Sequence, residues 1–450
     1  MVTPVVPMGM AQVFGYVLKH HMRAYSFQAA AQNAAKKASG LKMTDMATDP
    51  RIFLSIDNCF ASKRWTRPSE WIRLIRSMGV RFIEASADNE CDPLYCSKEY
   101  LSDWIREVNE ASLAHGAQIA NVYSGHGTYS TLGLTHTDPR NREHMLRNWL
   151  KPMADIASGL SAGIGFYCHA FADAVLQDPA AYTEMEHELY GSLAEMAEYC
   201  AELGIPASGV EQMYSPHQIP WTVKGAEKLL KSVQAICGRP FYLTIDTGHQ
   251  TGQRRFLKPS CDQIKEFARR IRTGQGAQSL PLWLGSSSAY RLFDELAAES
   301  GASEDERIEQ LLQDFDRHPH LFAEYEDGDP YIWLETLGSY SPIVHLQQTD
   351  GFASAHRPFN AENNGKGIID GAEVLRAIAR AYGREHADGL PPRCAEVYLT
   401  LEIFAGTSQT NQAVLRGMRS SVDYWRKLVP QDGMNLSELI SLLPNRREFE

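Results

Sequence analysis

From residue 51 onward, short apolar runs alternate with longer stretches in which apolar residues recur every three to four positions. The short runs read as strands: IFLSID (52–57), VRFIEAS (80–86), QIANVYS (118–124), GIGFYCH (163–169), SGVEQMY (208–214), FYLTID (241–246), SPIVHLQ (341–347) and EVYLTLE (396–402). Segments between them, such as SEWIRLIRSM and YGSLAEMAEYCAEL, gather their apolar residues on one helical face. Helix-stopping residues stand ahead of several strands, at Gly79, Gly116, Gly204 with Pro206, and Pro240. Eight strands, each followed by a helix, predict an α/β fold, a (β/α)8 TIM barrel. An open doubly wound sheet would need a Gly-rich phosphate turn after its first strand, and IDNCFASKRW has none.

One connection breaks the rhythm. Between Asp246 and Pro342 lie almost a hundred residues, far more than a βα loop uses. They contain the helix-like pieces CDQIKEFARRIR, SAYRLFDELAAES and ERIEQLLQDFDRH, then an acidic, aromatic tip, YEDGDPYIWLETLG. This predicts a helical insertion over 251–335 between strands six and seven, serving as a lid over the chemical face, a subunit contact, or both. The barrel is expected over 49–430, with a C-terminal tail over 431–450. Residues 1–48 form a separate arm: Lys19, Arg23, Lys36, Lys37 and Lys42 precede Asp45, and no acid does. Such a segment fits a disordered arm, an organelle-targeting segment, or translation starting at Met43 or Met46.

A net charge of −11 and the lack of a basic run argue against a nucleic acid partner. A small anionic substrate stays open, since a few cations inside one pocket suffice. The eight cysteines are scattered without a CxxC pair, as in a reducing cytoplasmic compartment. No apolar stretch reaches the eighteen or so residues of a membrane span.

The chemistry gathers at the carboxyl ends of the late strands. Strand five carries Glu211 in VEQMYSPHQIPW, strand six Asp246 and His249 in DTGH, strand seven His345 in IVHLQQTDG, and strand eight Glu402 in LTLEIFAG. In a barrel these ends converge on one axis. Three carboxylates buried together without a cation would force protons onto some of them. Three oxygen donors and an imidazole suit Mn²⁺ or Mg²⁺, with Co²⁺ or Zn²⁺ also compatible. Glu84, Asp88, Asn121, Ser124, His126 and His169 follow or end the earlier strands and are further candidates for substrate contact. For a phosphate, Arg357, Lys366, Arg254, Arg255 and Lys258 are the available cations.

The order Glu, Asp-x-x-His, His, Glu resembles the metal-site pattern of the xylose isomerase-like sugar isomerase and epimerase barrels, and within them the ketose 3-epimerases. EQMYSPHQIPWT, HLQQTDG…HRPF…NGKGIID and YLTLEIFAG are further similar to bacterial tetrulose-phosphate epimerases. The resemblance spans about residues 51 to 428. It implies metal ligation by Glu211, Asp246, His345 and Glu402, an acid/base pair of Glu211 and Glu402, and a substrate-positioning role for His249. Two positions depart from the pattern. Where the epimerases place a substrate-binding Glu six residues after the first, this chain has His217. The arginine implied six residues past His345 is Gly351, and Arg357 stands six further on.

The expected reaction is C3 epimerisation of a small ketose or ketose phosphate, a tetrulose phosphate foremost, through an enediolate formed by glutamate-mediated proton transfer. An aldose–ketose isomerase or a keto-sugar or keto-inositol dehydratase would use the same residues. A DNA-repair endonuclease would need more histidines and a basic groove; a non-catalytic barrel would leave the glutamates without a task. Barrels of this kind commonly pair into homo-oligomers.

Overall fold

A computed structural model describes residues 48–125, 132–274, 282–298 and 304–444. Eight parallel strands run β1 Arg51–Asp57, β2 Phe82–Ser86, β3 Gln118–Ser124, β4 Gly163–Phe166, β5 Ser208–Glu211, β6 Tyr242–Asp246, β7 Ile343–Leu346 and β8 Glu396–Leu401. Each pairs with the next, and β1 pairs with both β2 and β8, so the sheet closes into the expected (β/α)8 barrel. The segment set apart as a tail contributes a short ninth strand, β9 Met434–Asn435, antiparallel to β1, followed by the helix Leu436–Leu442. The arm over 1–47 lies outside the described residues.

Local chemistry fixes where the elements start and stop. The helix between β2 and β3, Lys98–His115, begins where the Ser97 hydroxyl accepts the Tyr100 N–H at 3.2 Å. It ends on Gly116 at φ 64°, a left-handed turn that glycine adopts at little steric cost. Its apolar face buries Leu101, Trp104, Val108 and Ala111. Trp71, Trp149, Trp333 and Trp425 are likewise fully enclosed in the hydrophobic core.

Alternation along the strands sorts the barrel interior by height. At the amino end Phe53 stacks on Tyr398 and meets the edge of Phe82, both with centroids 4.9 Å apart. Two residues on stand Ser55 and Thr400, then Asp57, Glu84 and Glu402, all buried. An apolar floor thus gives way to a polar top.

The long connection after β6 holds the helices Cys261–Arg272, Ser287–Ala298, Glu304–Arg317 and Pro330–Leu337. It packs on the barrel's flank: His320 lies 2.8 Å from the Leu176 carbonyl and stacks on Tyr182 at 4.0 Å, and the Ser287 N–H donates to Gln177 at 2.7 Å.

Candidate metal centre and substrate pocket

At the carboxyl end of β5 to β8, one ligand-type atom from each of Glu211, Asp246, His345 and Glu402 lies within 4.8 Å of the others. All four residues are buried. The register brings them there: Asp246 pairs with His345, and His345 with Thr400, two residues short of Glu402. Metal–oxygen bonds of about 2.0–2.6 Å would let one divalent ion span donors at this spacing.

The polar surroundings hold each donor in place. Asp246 Oδ1 accepts the Gly248 N–H at 2.6 Å and the Gln347 amide at 2.8 Å. Tyr123 donates its hydroxyl to Glu211 Oε2, and His345 Nδ1 lies 2.9 Å from Glu211 Oε1. Glu402 Oε2 is 3.3 Å from Nδ1 of both His345 and His356 but is aligned with neither for a hydrogen bond. It is a buried oxygen facing the cluster, and it suits a cation.

Electrostatics point the same way. Burial pushes the Glu402 carboxyl up, yet the His345 and His356 imidazoles outweigh it and hold the group well below the usual carboxylate range. Burial lowers His345, but the Glu402 and Glu84 carboxylates raise it well above the ordinary histidine value. His356 is drawn up to about 9 against its burial, chiefly by Glu402. The imidazoles offset carboxylate charge that a divalent cation would offset in their place.

Above the cluster opens a cavity of about 500 Å³. Glu211, His249, His356 and Glu402 line it together with Tyr123, Tyr167, Met213, Tyr214 and Phe404. His249 Nδ1 donates to the Gln212 carbonyl at 2.7 Å, and its Nε2 stands 4.0 Å from Asp246 Oδ2. From the β1 to β3 side come Cys59, Ser62, Lys63, Ser86, Asp88 and Asn89.

Several candidates from the sequence stand elsewhere. Glu84 and Asn121 are buried beneath the cavity, where Asn121 donates to Glu84 Oε2 at 2.7 Å and Glu84 Oε1 meets His345 Nε2 at 2.6 Å. His217 places Nδ1 3.0 Å from the Phe171 carbonyl and does not line the cavity. Arg357 is bound to Asp350 at 2.7 Å, and Lys366 lies 3.6 Å from Glu362 in the open. Arg254 donates to the Gly328 carbonyl, Arg255 to that of Phe352, and Lys258 to Asp316. None of these five cations lines the cavity, nor does any residue of 251–335, so the insertion does not roof the cavity among the described residues. Ser124 donates to Asp88, and His169 is buried under Trp149; His126 lies outside the described residues.

Four residues were not singled out from sequence. Asp57, in register with Glu84, is pushed well up by burial and then by the Glu84 and Glu402 charges. Gln347 joins Asp246 to the His356 N–H, which it accepts at 2.6 Å. His356 sits at φ 44° with its ring stacked on Phe404 at 3.9 Å. Lys63, at φ 66°, is the single lysine or arginine lining the cavity among the described residues.

No family model matches the chain. It is 23% identical over 324 residues to D-erythrulose 1-phosphate 3-epimerase of Brucella abortus, covering 71% of this chain and 78% of that one. Among solved structures, a protein provisionally described as a xylose isomerase from Rhodospirillum rubrum superimposes with a TM-score of 0.59 at 17% identity, over 83% of this chain and 98% of its own. This chain shares the barrel fold of that protein. D-psicose 3-epimerase from Clostridium cellulolyticum superimposes on this barrel with a TM-score of 0.47 at 13% identity, over 83% and 98% of the two chains. No described helix of the barrel is long and apolar enough to cross a membrane.

Proposed function

We propose that this chain is a divalent-metal-dependent 3-epimerase of a small ketose, with a tetrulose phosphate as the favoured substrate and Mn²⁺ or Mg²⁺ as the ion. The observation that carries the reading is the meeting of Glu211, Asp246, His345 and Glu402 within one ion's reach beneath a cavity that two of them line. The similarity to a relative named as a tetrulose-phosphate 3-epimerase agrees with it.

In this reading the four side chains hold the ion. A divalent ion in such a site supplies Lewis acidity, which makes the C–H beside a carbonyl easier to deprotonate. Glu211 ends β5 and Glu402 directly follows β8, so the two reach the cavity from separate strands. One takes the proton from C3, and the other returns a proton to the opposite face, inverting the carbon. Positioned groups of this kind contribute about 10²–10⁴-fold. The two carboxylates share His345, while Glu211 alone takes the Tyr123 hydroxyl and Glu402 alone faces His356. His249 Nε2 accepts a substrate hydroxyl. Tyr167, Met213, Tyr214 and Phe404 exclude water from the reacting carbon.

Lys63 supports a phosphorylated substrate. It makes no ion pair among the described residues, and it is the single lysine or arginine among those lining the cavity. The cations expected for this task, Arg357 and Lys366 among them, have acidic or carbonyl partners away from the cavity.

The test is incubation in D₂O with Mn²⁺ and a panel of tetruloses, pentuloses, hexuloses and their 1-phosphates, followed by removal of the ion and proton NMR. Deuterium entering at C3 alone supports 3-epimerisation. Deuterium at C1 or C2 replaces it with aldose–ketose isomerisation. No exchange with any panel member, while the ion is shown to be bound, ends the proposal.

A further inference from the structure

Beneath the proposed metal centre the His345 ring is gripped from both sides. Nδ1 faces the Glu211 and Glu402 carboxylates at 2.9 and 3.3 Å. Nε2 lies 2.6 Å from Glu84 Oε1, and both residues are wholly cut off from solvent. The edge of Tyr123 packs on the ring at 4.9 Å and fixes its plane. Glu84 is held in turn: its second oxygen accepts the Asn121 amide at 2.7 Å. Asn121 fits because β4 is glycine-rich where the two strands meet. A Cβ on Gly163 would lie 2.8 Å from Asn121 Oδ1, and one on Gly165 would lie 3.1 Å from Nδ2. Two glycines, an amide and a carboxyl group therefore form one line of support ending on Nε2.

Two donor sets share this histidine. One is Glu211, Asp246, His345 and Glu402; the other is Asp57, Glu84 and His345. Only the first borders the cavity. With an ion held on the cavity side, the imidazole would keep one proton, and the Glu84 carboxylate at Nε2 would hold it there, leaving the Nδ1 lone pair for the metal. Outer partners of this kind orient metal-ligating histidines and make them better donors.

We infer that Glu84 is a positioning residue that fixes His345 as an Nδ1 ligand and so directs the ion to the cavity-side donor set. The inference rests on the metal reading above. It predicts that Glu84→Gln weakens Mn²⁺ binding about 10- to 100-fold, because the new amide opposes the Asn121 amide. The double variant Glu84→Gln, Asn121→Asp restores donor-to-acceptor matching and returns the affinity to within about threefold of the original.

The test is calorimetric titration of Mn²⁺ into the full chain and both variants, with the metal-free unfolding midpoint of each measured separately. Histidine ¹⁵N–¹³C correlation spectra of the Mg²⁺-loaded wild type form an independent arm that needs no variant to fold. The expected spectrum has the His345 proton on Nε2. A folded Glu84→Gln protein binding Mn²⁺ within twofold of wild type overturns the inference. So does a loss that the double variant fails to recover, or a His345 proton found on Nδ1. Wild type binding no divalent ion at all removes the metal reading and this inference with it; wild-type binding with an unaffected Glu84→Gln removes the inference alone.

Discussion

Glu90 offers a stability test at the wall of the pocket. It closes the short helix Ala87–Glu90, whose Asp88 and Asn89 line the cavity. Its side chain is only 8% exposed, and one oxygen, Oε2, accepts the indole N–H of both Trp71 at 3.1 Å and Trp104 at 2.9 Å. Burial drives the carboxyl up to about 7, with the two indoles resisting. In the unfolded chain the group ionises near its ordinary value of about 4.3. Between those values the folded state binds more protons than the unfolded one, so stability from this group is present at low pH and falls as pH rises towards 7. From pH 5.5 to pH 8 the loss amounts to about 2 kcal/mol, at about 1.4 kcal/mol per tenfold change. Glu90→Gln keeps an oxygen for both indoles and has no charge to bury. The expected result is that the variant's stability advantage over wild type grows by about 2 kcal/mol between pH 5.5 and 8. Urea unfolding at several pH values, followed by tryptophan fluorescence, measures it. Parallel pH profiles for the two proteins would refute the reasoning, since they would mean that Glu90 ionises alike in both states.

Glu211→Gln and Glu402→Gln should each slow C3 exchange by about 10²–10⁴-fold with little change in unfolding midpoint, read by deuterium incorporation and thermal melting. Lys63→Met should raise KM for a ketose 1-phosphate about tenfold, the worth of a charge-assisted hydrogen bond of roughly 1.5 kcal/mol, and leave the unphosphorylated sugar unaffected. Mn²⁺ at about 100 times its dissociation constant should stabilise the wild-type fold by about 2.7 kcal/mol. Asp246→Asn should reduce that shift to near zero in the same melting assay, and EDTA should reverse it in wild type.

The barrel was legible because its strands announce themselves by period. QIANVYS occupies the predicted span, 118–124. GIGFYCH instead ends at Phe166 and SGVEQMY at Glu211. Tyr167, Cys168 and His169 are as apolar as a strand and fully buried, but they leave the ladder, and His169 turns to φ 70°. Composition marks burial and says nothing about where pairing stops. The clustering of Glu211, Asp246, His345 and Glu402 was legible for a related reason: each is a polar residue at the end of an apolar run. Glu84 and Asn121 looked similar, yet they sit two and three residues before their strands end, one layer down. Depth within the strand was the signal, and it separates Glu211 and Glu402, which line the cavity, from Glu84 and Asn121, which are buried beneath it.

The histidine at 356 shows where sequence reading runs out. In HRPF the arginine attracts attention as a phosphate cation. The structure pairs Gln348 with Arg357 in an isolated antiparallel bridge. Arg357 sits in the bridge and turns out to Asp350, while the left-handed backbone of His356 at φ 44° carries its ring in over Glu402. Only the partner strand fixes that choice, and the partner is known only once the loop has closed. The same geometry bears on substrate choice. The two positions that depart from the ketose 3-epimerase pattern are His217, committed to the Phe171 carbonyl, and Gly351, which has no side chain. With that Glu and Arg absent, the polar residues lining the cavity include Tyr214 and Ser354 from the loops after β5 and β7, as well as Ser62, Lys63, Ser86, Asp88 and Asn89 from the β1 and β2 side. In the proposed reading, these side chains take the place of the absent Glu and Arg around the ketose held at His249.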